Sequence, residues 1–172
     1  MEYMFVLLLI LVVAAVADLR TRRIPNWLTY AAMGMGVSYH VYVDGWQGFL
    51  FGIEGLSLGC ALLVVFYILG GMGAGDVKLM AAVGSFVGPK IVIVAFLFTA
   101  LTGGIYAIII LMLYGQSKDL FLALKTFMFT GKLIYAPSQN KKKLPTLYYG
   151  VAIAVGTFIT VMLYRFNCMN FI

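Results

Sequence analysis

Residues 91–113 read IVIVAFLFTALTGGIYAIIILML, a run without a single charge. A helix of roughly 20 such residues matches the hydrocarbon thickness of a bilayer. Met4–Ala17 is a second apolar run, broken by no polar residue. Neither run alternates apolar and polar residues, as the strands of a transmembrane barrel would. The whole chain agrees: 172 residues, 63% hydrophobic and 10% charged, with mean hydropathy +1.03. Too little polar surface remains to cover a water-soluble fold. The sequence therefore predicts an all-α, polytopic membrane helix bundle, forming a single membrane-embedded domain over residues 1–172.

Working outward from these runs, six spans are expected: Tyr3–Ala17, Pro25–Val41, Phe49–Leu69, Asp76 to Gly88-Pro89, Ile91–Tyr114 and Thr146–Tyr164. Pro25 suits a first helical turn, where its missing N–H has no partner anyway. Asp44-Gly45-Trp46 reads as a turn, with Tyr42 and Trp46 as interfacial aromatics. The cluster Gly70-Gly71-Met72-Gly73-Ala74-Gly75 ends a helix. The small-residue step Ala15-Val16-Ala17 resembles a signal-peptide cleavage site, but Glu2 and the following Arg20, Arg22 and Arg23 favour a retained first span. In the connection between residues 115 and 145, Leu120, Leu124, Phe127 and Met128 recur at helical spacing, with Lys118, Lys125 and Lys132 on another face. An amphipathic helix on the cytoplasmic membrane surface is expected there, with a loosely ordered loop as the alternative, followed by the basic run Lys141-Lys142-Lys143 facing lipid headgroups.

Charge sets the orientation. With six alternating spans, Arg20, Arg22, Arg23, Lys78, Lys118, Lys125, Lys132 and Lys141 to Lys143 fall on one side. Only Lys90 and Arg165 fall on the other, 10 of the 12 basic residues against 2. The richer side is cytoplasmic, and both chain ends face away from it. The basic balance, 12 Lys+Arg against 6 Asp+Glu, thus reflects topology rather than a nucleic-acid partner. Cys60 and Cys168 stand alone, and the single histidine, His40, has no metal-ligand neighbour. No metal and no cofactor are expected. His40 is expected near a helix end at the interface.

The acidic residues carry the chemistry. Ionisable groups within membrane spans are costly and mark function. Asp18 ends the first span and Asp76 begins the fourth, 58 positions apart in sequence but at one depth and on the cytoplasmic side. Close carboxylates cannot both ionise cheaply, so they share a proton. The ionised member can take a proton from water while the other polarises a carbonyl. The bland alternatives are an interfacial Asp18 beside arginines and an N-cap role for Asp76. Glu54, within the third span, is an accessory candidate. Asp18, Glu54 and Asp76 together would also suit a proton-coupled carrier. A noncatalytic assembly partner is the third reading.

The local wording separates these readings. Asp18-Leu19-Arg20-Thr21-Arg22-Arg23-Ile24-Pro25-Asn26-Trp27-Leu28 resembles the first aspartate motif of the type IV prepilin peptidases. Gly73-Ala74-Gly75-Asp76-Val77-Lys78-Leu79 resembles their second, GxGD followed by x-K-L. More distantly, both resemble the presenilin-like GxGD proteases. The resemblance implies a membrane aspartyl endopeptidase, with Asp18 and Asp76 catalytic, that removes the basic leader of a prepilin or pseudopilin at the cytoplasmic face of the inner membrane. It implies site-shaping roles for Gly73, Gly75, Pro25, Asn26 and Lys78. On helical spacing Lys78 points away from Asp76, toward headgroups. Tyr148-Tyr149-Gly150-Val151 stands where family members often read Pro-Tyr-Gly, so Tyr149 and Gly150 join the candidates. The chain resembles the short, peptidase-only form of tight-adherence pilus systems, and methyltransferase activity is not expected.

Overall fold

The computed structural model describes residues 2–113 and 148–166. The expected amphipathic helix and Lys141-Lys142-Lys143 lie outside them, as does Cys168. The described residues form four helices and no strand: α1 (Glu2–Thr21), α2 (Asn26–Ile68), α3 (Ala74–Leu113) and α4 (Tyr149–Arg165). They divide into two units, one holding residues 1–103 and those from Tyr148 on, the other beginning at Gly104. Everything below concerns the first.

The helices α1, α2 and α3 are apolar and long enough to cross a membrane. The six expected spans compare with four helices because two boundaries fall inside continuous helical assignments. At 1.5 Å per residue a straight 43-residue α2 would run about 65 Å, twice the hydrocarbon thickness. It does not run straight. Gly45 takes φ 57°, ψ −127°, and the chain folds back there. The His40 and Phe51 rings meet with centroids 4.8 Å apart, and Val37 lies against Gly52. α3 breaks likewise at Gly88, φ 79° and ψ 175°, just before Pro89. Proline removes an N–H and bars helical geometry at the preceding residue, and glycine accepts the dihedrals that result. Beyond the break α3 returns, so that Phe96 lies 6.4 Å from Phe66 while Gly88 sits against Phe51.

Two details differ from expectation. Pro25 precedes α2 as its cap, φ −61° and ψ 131°, rather than occupying its first turn. Its carbonyl accepts the N–H groups of Leu28 and Thr29 at 3.2 and 3.4 Å. His40, expected near a helix end, is buried close to the Gly45 break. Its Nε2–H donates to the Phe86 carbonyl at 2.9 Å, inside a ring of Tyr3, Tyr39 and Phe51. That carbonyl stands two residues before the α3 break at Gly88, so the imidazole ties the first half of α2 to α3 beside the break.

The core joins all four helices through Leu7 and Leu11, Leu28 and Leu63, Leu79, Met80, Val83 and Phe86, and Ile153. Outward-facing residues stay apolar: Leu9, Trp27, Ile68 and Leu69 are each more than 60% exposed. Large apolar side chains turned outward on helices of this length suit contact with lipid. Where α2 meets α3 the backbones touch. A Cβ on Gly55 would collide with the Gly84 carbonyl, and one on Gly84 with that of Gly55. Small residues at four-residue spacing, here Gly55 and Gly59, let membrane helices approach this closely.

Candidate active site

Asp18 stands in the last turn of α1. The helix ends just beyond it, where Arg22 adopts a left-handed φ of 53° and its N–H donates to the Asp18 carbonyl at 2.8 Å. A left-handed residue closing a helix is usually glycine, so an arginine here carries about 1 kcal/mol of strain. Thr21 braces the turn, its hydroxyl within 2.9 Å of the Ala17 and Arg23 carbonyls. The chain then passes through Ile24 and Pro25 into α2.

Asp76 is the third residue of α3. It is not the N-cap, the bland role open to it in sequence. Gly73 precedes the helix and bonds reciprocally with Asp76. The Gly73 N–H donates to Asp76 Oδ2 at 3.0 Å, and the Asp76 N–H donates to the Gly73 carbonyl at 3.1 Å. This is the capping-box arrangement, in which an acidic third residue reaches back to the first free N–H. One carboxylate oxygen is thereby fixed and the other is left for other partners. Gly75 packs on Ile24, a Cβ there lying 3.2 Å from that of Ile24. The glycine thus brings the connection after α1 against the start of α3.

The two aspartates come together. Asp18 is 7% exposed and Asp76 8%, and both line one cavity of about 260 Å³. The carboxylates are near enough to interact electrostatically. Arg22, Arg23, Asn26 and the Gly73–Gly75 backbone complete the lining. Two buried carboxylates in a polar, partly open cavity can share a proton and bind water, which is the arrangement general acid–base hydrolysis requires. Among the described residues no group of three His, Cys, Asp or Glu side chains is placed to hold a metal ion.

The other candidates separate. Gly73, Gly75 and Asn26 line the cavity; Pro25 adjoins it as the α2 cap. Lys78 does not line the cavity. Its Nζ donates to Asn26 Oδ1 at 3.0 Å and lies 4.7 Å from the centre of the Tyr30 ring. It ties α3 to the start of α2. Gly150 is buried and its N–H donates to Asp18 Oδ2 at 2.9 Å. Tyr149, half-buried, is close enough to Asp76 to interact with it. Glu54 is exposed on α2 and lines no part of this cavity. Sequence reasoning did not single out Arg22 and Arg23 as cavity residues, although their place between Asp18 and Pro25 was a signal for it.

Residues 5–108, a stretch holding both aspartates, match the type IV leader peptidase family. The chain belongs to the type IV leader peptidase family. A similar protein is the prepilin leader peptidase/N-methyltransferase of Bacillus subtilis (strain 168), 33% identical over 104 residues. That alignment covers 56% of this chain and 40% of the relative, so the chain matches less than half of its length. No solved structure matches the chain significantly. Tyr149 and Gly150 fall outside the family match, and the bond of Gly150 to Asp18 is a finding of geometry.

Proposed function

We propose that the protein is a membrane aspartyl endopeptidase that removes the basic leader from type IV prepilin-like substrates. The observation that carries this is the convergence of Asp18 and Asp76, both buried, on one cavity. Family membership supports the substrate class. In this reading the pair holds one proton. The ionised carboxylate takes a proton from the bound water as its oxygen attacks the scissile carbonyl. The protonated partner donates to the carbonyl oxygen. The carbon–nitrogen bond then breaks as the leaving nitrogen is protonated, and the pair returns to its starting state.

The folded-back halves of α2 and α3, with α1 and α4, are read as six crossings. Arg20, Arg22, Arg23 and Lys78 gather at the end holding the aspartates. Lys90 and Arg165 stand at the end marked by Tyr3, His40 and the two glycine breaks. The positive-inside rule then puts the cavity at the cytoplasmic face.

The test is to co-express a candidate prepilin with the wild type and with Glu54→Gln. The wild type is expected to shorten the pilin, and Glu54→Gln to process at least about half as much, because Glu54 lies outside the cavity. A protein that leaves prepilins uncut, yet moves protons in vesicles in a manner dependent on Glu54, would be a carrier instead.

A further inference from the structure

The start of α4 is joined to Asp18 in a way that the catalytic reading has not used. α4 lacks a side-chain cap of its own: Tyr148 precedes it at φ −89°, ψ 82° and supplies no capping bond. The free N–H groups of a first turn need an acceptor when buried. Asp18 supplies it from α1, 132 residues away in sequence, by accepting the Gly150 N–H at 2.9 Å. The Val151 N–H faces the same carboxylate. The fit leaves no room for a side chain. A Cβ on Gly150 would lie 2.9 Å from Asp18 Oδ2 and 3.2 Å from its Cγ. Arg22, one turn beyond Asp18, also reaches this end of α4, with its guanidinium 5.8 Å from the centre of the Tyr148 ring. Tyr149 of the same first turn is within electrostatic reach of Asp76, the other half of the pair.

We propose that the first turn of α4 is the positioning element of the catalytic pair, with Gly150 as the residue that sets Asp18 by holding its Oδ2 through the backbone N–H. The assignment of the effect to catalysis rests on the peptidase reading; the clamp itself does not. The two carboxylates are then held alike. Each has one oxygen bound by a backbone N–H at a helix start, Asp76 by Gly73 and Asp18 by Gly150. A helix N-terminus also favours the charged form of a bound carboxylate, so displacing Asp18 from it changes how the pair titrates. The charged and titratable groups that share the cavity with Asp18 are Asp76 from α3 and Arg22 and Arg23 from the connection, while Tyr149 of α4 interacts with Asp76.

The experiment uses the full-length protein purified in detergent, as wild type, Gly150→Ala, Asp18→Ala and the double variant. Thermal unfolding is followed for all four, and the Gly150 amide resonance is assigned in glycine-labelled wild type and Asp18→Asn. The clamp requires coupling: the change in Tm caused by Asp18→Ala should differ by about 2 °C or more between the two backgrounds. It also requires the Gly150 amide to shift upfield in Asp18→Asn. Additive Tm changes with an unmoved amide would overturn the clamp, whether or not the protein cuts prepilin. For positioning, Gly150→Ala that folds at normal yield is expected to lose at least about tenfold in kcat on a prepilin peptide, with KM within about twofold and the pH profile displaced. A coupled pair with kcat and pH profile unchanged would refute the positioning role. If the wild type cleaves nothing, the peptidase reading fails while the Tm and amide data still judge the clamp.

Discussion

Asp76 uses one carboxylate oxygen to close the first turn of α3 and lines a cavity shared with Asp18. Two such groups cannot lose their protons independently, so the ionisations belong to the pair. A bell-shaped dependence of kcat/KM on pH is expected: activity falls on the acid side as the second proton is taken up, and on the alkaline side as the shared proton is lost. Rates of peptide cleavage measured across the pH range check this, and a profile that only rises to a plateau would count against a shared proton. Both aspartates were legible in the sequence because an ionisable group at the edge of an apolar run is costly enough to need a reason. The partners of Lys78 were not legible, since Asn26 and Tyr30 lie about 50 positions earlier, beyond the reach of any local pattern. The hold of Gly150 on Asp18 spans 132 positions and involves a backbone N–H, which no side-chain motif encodes.

Among the helices, the breaks at Gly45 and Gly88 decide how α2 and α3 fold back. Both breaks were legible: Asp44-Gly45-Trp46 as a turn and Gly88-Pro89 as a boundary, since glycine and proline have fixed backbone preferences. The burial of His40 was not, because its acceptor, the Phe86 carbonyl, lies on α3. The contact between Gly55 and Gly84 holds α2 and α3 at backbone distance, and with them the start of α3 that carries Asp76. Gly55→Val is expected to destabilise the protein by about 1–3 kcal/mol or more, since the collision is with backbone that cannot rotate aside. Thermal unfolding in detergent would show it as a lowered Tm, and an unchanged Tm would mean that the helices do not pack through these glycines.

For the molecule as a whole, apolar composition and the charge count pointed to a membrane helix bundle, and the all-helical fold with three membrane-length helices agrees. The orientation is tested by single cysteines in a background with Cys60 and Cys168 replaced by serine. A membrane-impermeant thiol reagent applied to intact cells is expected to label position 165 and not position 20; the reverse would place the site on the outer face. The central claim is that Asp18 and Asp76 act together as the hydrolytic pair. Its most direct test is mass-spectrometric measurement of leader release from a purified prepilin by wild type, Asp18→Asn and Asp76→Asn in lipid vesicles, with equal amounts of folded protein. The wild type is expected to release the leader, and each variant to lose on the order of 10²–10⁴-fold in rate. A folded variant that still releases the leader at near the wild-type rate would remove that aspartate from the mechanism.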